Sequence, residues 1–225
     1  ATGGGALGGT VTVNTNGTGL ATFTNLAITG TVGARTLAFS SGALTPDTST
    51  AVTVTAGVAT QIAINAGNGQ SAAVNTAVAT PPSAIVRDVS NNPVAGVSVS
   101  FAVASGGGSI LPVTPVVSNA SGIAALTSWT MGTVAGPNSI TATSGTLAGS
   151  PVTFTATGTA GAATQLQVAT QPSPTAQSGV AFAVQPAIRL ADALGNPVAT
   201  SGTVVTAAIG SGTGTLGGTL TATTV

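Results

Sequence analysis

The sequence contains no cysteine, histidine, lysine, glutamate or tyrosine, and its only charged side chains are three Arg and three Asp among 225 residues. Nucleophilic catalysis needs a Ser, Thr or Cys beside a general base, which His, Lys or a carboxylate usually supplies. Zinc, copper and iron sites draw on His and Cys, and calcium sites need clustered carboxylates. We therefore expect no enzyme activity, no catalytic, cofactor-binding or metal-binding residues, and no cofactor.

The scarcity of charge also bears on possible partners. Three isolated Arg and a net charge of +0 argue against nucleic-acid binding, which needs Lys and Arg to neutralise phosphates. Mean hydropathy is +0.55. However, Gly, Ser, Thr, Asn or Pro interrupts every apolar stretch within a few positions, whereas a spanning helix needs about 20 consecutive apolar residues. We expect neither a nucleic-acid partner nor membrane insertion.

Short runs rich in Thr, Val, Ala and Gly predict β-strands. In GVSVSFAV, alternate residues from Val97 to Val103 fall on one face, and PVTFTAT places Val152, Phe154 and Ala156 on one face. No stretch carries an apolar stripe at helical spacing. The chain is predicted to be all-β.

Internal repeats define the organisation of the chain. GVATQIAI begins at Gly57 and GAATQLQV at Gly161, 104 residues later. The motif DVSNNPV at Asp88 is answered by DALGNPV at Asp192, again 104 residues later. Two copies of the same sequence unit therefore begin at Gly57 and Gly161.

The two ends of the chain carry the two halves of another unit. NGTGLATFTNLAITGTVGARTLAF from Asn16 resembles NASGIAALTSWTMGTVAGPNSITA from Asn119 at a spacing of 103. GTLGGTLTATTV, which ends at Val225, repeats GALGGTVTVNTN, which begins at Gly5. We predict the C-terminal part of one domain in residues 1–56, a complete domain in 57–160 and the N-terminal part of a domain in 161–225.

A unit of about 100 residues with seven or eight short strands has the proportions of an immunoglobulin-like β-sandwich. The strands expected in the complete unit are Thr60–Asn65, Ala84–Val89, Val97–Val103, Ile123–Thr130, Ser139–Thr143 and Val152–Thr157, with two short ones near Val74 and Val116.

Four motifs together resemble a known family. ATQI enters the first strand, D-x-x-x-N-P-V precedes a G-V-x-V-x-F strand, N-x-S-G-I-A lies in the middle and G-x-N-S-I-T-A near the end. The set resembles the bacterial immunoglobulin-like domains of the invasin and intimin type, which occur in tandem on surface adhesins. The resemblance implies tandem immunoglobulin-like sandwiches at an extracellular or bacterial cell-surface location. In the second unit TSGTVVTAAI replaces AGVSVSFAV, so no receptor-binding role is carried over.

Several residues invite a functional and a structural interpretation. Asp88 and Asp192 either pair with Arg87 and Arg189 in a site or hydrogen-bond turn backbone, and we favour the turn. Trp129 either stacks on a sugar or packs in the core, and we favour packing.

Two further motifs are also ambiguous. Asn16-Gly17-Thr18 and Asn119-Ala120-Ser121 fit the glycosylation pattern but read equally as turns, which we favour. SGGGS at residues 105–109 is a flexible loop by composition, with no Lys to make a phosphate-binding loop.

The near-absence of charge predicts association between copies, because a Thr, Ser, Asn and Gly surface offers little long-range repulsion. We expect a structural, extracellular or cell-surface filament or stalk that self-associates, with adhesion as a further role. Its partners are expected to be copies of itself, either as a homopolymer whose split domain is completed between neighbouring chains or as a continuation of a longer repeat chain, and also cell-surface or glycan ligands. We favour continuation, because residues 3–16 and 212–225 duplicate the same strands. The alternative is a carbohydrate- or receptor-binding module of a secreted or surface protein.

Overall fold

The computed structural model describes residues 5–225, and within them the ordered elements are β-strands joined by turns. No helix occurs in residues 5–225, so none there is long and apolar enough to cross a membrane. The all-β prediction is confirmed.

Six short strands precede the central segment, ten lie within it and four follow it. The first group is β1 (Ala6–Gly8), β2 (Ala27–Thr29), β3 (Gly33–Arg35), β4 (Ala38–Phe39), β5 (Asp47–Thr48) and β6 (Val52–Val54). The central group is β7 (Ala59–Ala66), β8 (Gln70–Ala73), β9 (Ser83–Asp88), β10 (Ser98–Ser105), β11 (Ser109–Leu111), β12 (Val116–Val117), β13 (Ile123–Ala125), β14 (Ser128–Thr130), β15 (Gly136–Thr143) and β16 (Val152–Thr159). The last group is β17 (Gln165–Thr170), β18 (Ala187–Ala191), β19 (Val204–Thr206) and β20 (Thr221–Thr223).

The central strands form two facing sheets. One has five strands in the order β12-β10-β15-β16-β8, and the other has three in the order β13-β9-β7. Neighbours are antiparallel except β16 and β8, which run parallel. A third pair, β11 with β14, lies beside them. This two-sheet arrangement is a β-sandwich, as the strand pattern predicts.

A single apolar core lies between the two sheets. In β16, Val152, Phe154 and Ala156 are buried while the Thr residues between them are exposed, as predicted. Phe154 contacts Phe101 of β10, with ring centroids 6.3 Å apart. The inward face of β10 is shorter than predicted, because Val103 is 37% exposed where the register with β15 shifts.

One predicted strand is divided in the structure. The expected strand Ile123–Thr130 consists of β13, which pairs with β9, and β14, which pairs with β11. Between them the Leu126 N–H donates to the carbonyl of Pro82 and the Thr127 N–H to that of Leu111. The chain therefore crosses from one sheet to another strand pair at this point, which an unbroken strand could not do.

The SGGGS stretch is structured by close packing. Gly106, Gly107 and Gly108 all have positive φ, which favours glycine. A Cβ on Gly108 would lie 2.1 Å from the Thr130 carbonyl oxygen. These glycines therefore allow the loop to approach β14 and begin β11, which sequence reasoning did not predict.

Strand pairing in residues 5–225 stays within the three predicted segments. β1 pairs with β2, β3 with β6 and β4 with β5, while β17 pairs with β18 and β19 with β20. Residues 1–4 of the first segment lie outside the described residues. The domain boundaries themselves, at 1–56, 57–160 and 161–225, stay a prediction.

Candidate functional site

The carboxylate of Asp88 organises the turn that follows β9. Its Oδ1 accepts the backbone N–H groups of Ser90 and Asn92, both at 2.8 Å. Its Oδ2 accepts the Gly57 N–H at 2.8 Å and the Asn92 side-chain amide at 2.9 Å. The favoured turn interpretation is confirmed, and the contact with Gly57 ties the turn to the start of β7.

The same arrangement recurs around Asp192. Its Oδ1 accepts the N–H groups of Leu194 and Asn196 at 2.9 Å. Its Oδ2 accepts the Gly161 N–H at 2.9 Å and the Asn196 side-chain amide at 3.0 Å. Arg189 does not supply this site, because its Nε donates to Gln167.

The Asn side chain of each turn reaches the preceding segment. The Asn92 Nδ2 donates to the Gly30 carbonyl at 2.9 Å, and its Oδ1 accepts the Val32 N–H at 2.9 Å. The Asn196 Nδ2 donates to the Thr133 carbonyl at 2.9 Å, and its Oδ1 accepts the Ala135 N–H at 2.8 Å. Each amide therefore uses its donor and its acceptor to bind one backbone loop of the unit before it.

We call these two sites the first and second junction. The first comprises Gly30 and Val32 with Asp88 and Asn92, and the second comprises Thr133 and Ala135 with Asp192 and Asn196. The two backbone loops that the Asn side chains bind, at residues 30–32 and 133–135, are 103 residues apart. The Asp and Asn residues are 104 apart, and both distances are spacings of the repeat. The junction is thus part of the repeating unit.

A buried polar side chain supports each of these two loops. At the first junction Arg35, 6% exposed, donates to the carbonyl oxygens of Ala34 at 2.9 Å and Thr31 at 2.7 Å. At the second junction Asn138, 2% exposed, accepts the Gly132 N–H at 3.2 Å and donates to the Gly136 carbonyl at 3.1 Å. Different side chains at equivalent positions therefore hold the loop that the following Asn binds.

The junction carboxylates are stabilised as anions. Burial alone would raise the pKa of the Asp192 carboxyl, but hydrogen bonds from Gly161, Asn196 and Leu194 outweigh it and lower the pKa to about 2. Burial likewise opposes the hydrogen bonds from Asn92, Gly57 and Ser90, which lower the pKa of Asp88 below its ordinary value of 3.8. At neutral pH each junction is held by a charged acceptor, which makes its hydrogen bonds stronger.

The remaining residues singled out in the sequence have structural positions. Trp129 is fully buried in the central core, so the predicted packing role is confirmed. The Asn16 Oδ1 accepts the N–H groups of Thr18 and Leu20, and Asn119 binds its own turn in the same way. Within residues 5–225, no cluster of three His, Cys, Asp or Glu could hold a metal ion.

Sequence reasoning missed the contact that the two junction Asn residues make with the preceding unit. A signal was present, because Asn92 and Asn196 recur at the repeat spacing and so do the loops that they bind.

No protein-family model and no curated protein matches this chain. Among solved structures, InvD from Yersinia pseudotuberculosis aligns with 90% of this chain and 60% of its own, at 18% identity and a TM-score of 0.47. FdeC, an Escherichia coli adhesin, aligns with 69% of this chain and 50% of its own, at 16% identity and a TM-score of 0.43. The D00-D0 domain of intimin aligns with 50% of this chain and 58% of its own, at 19% identity and a TM-score of 0.36.

The similarity is to bacterial immunoglobulin-like domains. This is the resemblance that the sequence motifs indicate. The chain spans between 50% and 60% of those three structures, and at identities of 16–19% the likeness concerns the fold alone. The geometry of the immunoglobulin-like units and their junctions has to be interpreted in its own right.

Proposed function

We propose that this chain is a structural section of an extracellular or bacterial cell-surface stalk or filament, built from tandem immunoglobulin-like domains with boundaries at 1–56, 57–160 and 161–225. The observation that carries the proposal is the recurrence of one junction, with the same backbone and side-chain atoms, at the repeat spacing. A stalk depends on a joint that recurs from one unit to the next.

The junction resists bending through two kinds of contact. Domains joined by a short linker move relative to each other unless an interface restrains them. Here the Asn amide makes two hydrogen bonds to the preceding unit, and the Asp carboxylate holds the N–H of the linker residue Gly57 or Gly161. At roughly 0.5–1.5 kcal/mol per hydrogen bond, the Asn contacts favour the docked joint by about 1–3 kcal/mol.

The surface suits lateral association as well as reach. The chain has three positive and three negative side chains, of which Arg35, Asp88 and Asp192 are buried, so its surface has little long-range repulsion to keep copies apart. We expect self-association that depends only weakly on salt, and adhesion as a further role of the assembled surface. The alternative, a carbohydrate-binding module, has no exposed Trp to stack on a sugar, because the single Trp129 is fully buried.

The stiffness of the first junction provides the test. Because the chain has no native cysteine, spin labels at Thr18→Cys and Thr146→Cys report the distance between the first and central segments without background. Asn92→Ala should broaden the distance distribution, since it removes both hydrogen bonds to the preceding loop.

The matched control is Asn91→Gly in the same turn. Asn91 has φ of 62°, which Gly adopts freely, and the equivalent residue of the second junction is Gly195. This variant should keep the narrow distribution. Equally broad distributions in the parent, Asn91→Gly and Asn92→Ala would contradict a stiff joint and with it the proposed function.

A further inference from the structure

The first segment leaves an apolar groove open. The residues that line it are Leu7, Leu26, Ile28, Leu37 and Val52 together with residues 53–55. Leu7 is 40% exposed and the Leu26, Ile28 and Leu37 side chains are half-buried. Four of the lining residues have buried equivalents in the central core, 103 residues later. Leu7, Leu26, Ile28 and Leu37 correspond to Ile110, Trp129, Met131 and Ile140.

The last segment exposes the opposite half of the same core. Leu166 is 56% exposed, while its equivalent 104 residues earlier, Ile62, is 3% exposed. Ile188 is 36% exposed, while its equivalent, Ala84, is fully buried. In the central sandwich these two groups of positions belong to one cluster, with Ile62 and Ala84 alongside Trp129 and Ile140. The two open faces therefore correspond to the two sides of one core.

The sequence favours continuation because the two ends repeat the same strands, but in the structure the two repeated ends form different strands. Residues 6–8 form β1, while their repeat at 215–217 is in no strand. Residues 221–223 form β20, while their repeat at 12–14 is in no strand. Each of these two strands is thus formed in one segment only, so the first segment supplies the equivalent of β11 and the last supplies the equivalent of β12.

We propose that residues 161–225 of one copy of this chain dock on the groove of residues 5–56 in a second copy and complete a β-sandwich like the central one. The central pairing predicts the register, because Ala102 of β10 lies opposite Thr141 of β15. The equivalent pair is Thr206 and Ala38. This inference deepens the proposed function, on which it rests, because it names the contact through which units join end to end.

Cysteine cross-linking tests the register directly. A tagged Ala38→Cys variant is mixed with an untagged Thr206→Cys variant under mild oxidation, and disulfide-bonded species are separated by mass. The tagged–untagged heterodimer should predominate over both homodimers. The double variant should give a ladder in steps of the 20.9 kDa chain on a non-reducing gel.

The control replaces Ala38→Cys by Thr18→Cys, an exposed turn position away from the predicted pair. This control should give little heterodimer with Thr206→Cys. The inference is overturned if the control cross-links as well as Ala38→Cys does. It is also overturned if the double variant closes within one chain and remains a monomer.

A second measurement needs no cysteine and replaces a side chain that docking would bury. Leu166→Asn should weaken dimerisation roughly tenfold or more, because a leucine that becomes buried on docking is replaced by an amide. Val180→Asn is the matched control: Val180 is 57% exposed, and its equivalent in the central sandwich, Thr76, is exposed too. Size-exclusion chromatography with light-scattering detection, over a range of protein concentrations, gives the dissociation constants.

The two proposals fail in different ways. A chain that stays monomeric at every concentration, yet loses its narrow label distance only in Asn92→Ala, refutes docking between copies and leaves the stiff stalk intact. A chain that dimerises through Thr206 and Ala38 but has mobile junctions refutes the stalk.

Discussion

The central segment and the two flanking segments share a sequence pattern, but they bury it to different extents. Trp129 and Ile140 are fully buried in the central sandwich, whereas their equivalents Leu26 and Leu37 are half-buried at the edge of an open groove. Local strand pairing persists in both, since β3 pairs with β6 much as β15 pairs with β16. The difference shows that hairpins form from local sequence, while a closed core requires both halves of the unit.

The largest test of this comparison is truncation of equivalent core side chains. Trp129→Ala should lower the free energy of unfolding of the central segment by roughly 3–5 kcal/mol, as expected when a buried aromatic is removed. Leu26→Ala should cost less than about 1 kcal/mol in the monomeric chain, since Leu26 is only half-buried. Urea unfolding followed by circular dichroism measures both, and equal losses would contradict the difference in burial.

A smaller effect is expected from equivalent glycines. Gly108 has φ of 84° and Gly5 has φ of 101°, and a Cβ on either would lie against the carbonyl oxygen of the partner strand. Gly108→Ala should destabilise the central segment by about 1–3 kcal/mol, the usual cost of a strained backbone conformation. Gly5→Ala should disturb only the β1–β2 hairpin, and Gly210→Ala, with open space around it, serves as control. Thermal unfolding compares the three variants.

The turn asparagines should give a smaller effect again. The Asn119 Oδ1 accepts the N–H groups of Ser121 and Ile123, and its loss in Asn119→Ala should cost about 1 kcal/mol. Asn16→Ala removes the equivalent hydrogen bonds in the first segment, where they support no closed core. Chemical denaturation should therefore detect the first substitution and miss the second, and equal shifts would show that the two turns matter alike.

A change of pH should alter the bending of the second junction, because the Asp192 carboxylate holds the turn from which Asn196 binds the preceding segment. The pKa of Asp192 is lowered from 3.8 to about 2 in the folded chain. Its contribution is therefore complete above pH 3.8 and is lost as pH falls through about 2. Carboxyl carbon NMR should show the Asp192 titration near pH 2, and X-ray scattering should show greater bending at the second junction over the same interval.

The control for this pH effect is Asp192→Asn. This variant has no carboxylate to protonate, so its second junction should bend at neutral pH as the parent does near pH 2. Bending in the parent that is independent of pH between 4 and 2 would separate the joint from the charge of Asp192.

More of the fold than of the candidate site could be predicted from the sequence. Alternation in β16 and the 104-residue spacing were visible because strand burial has a period of two and repeats preserve it. β11 was missed because its residues follow a glycine run whose backbone conformation is decided by contact with β14. The contact of Asn92 with Gly30 spans 62 positions and depends on how two units meet, which strand patterns do not encode.

In the proposed stalk, the equivalence of the two junctions would determine the shape of a longer assembly. When every joint uses the same atoms, each unit is related to the next by one rotation and one translation, and repeating that operation generates a helix. The pitch and handedness of such a fibre would then be set by two asparagine amides and the loops they bind.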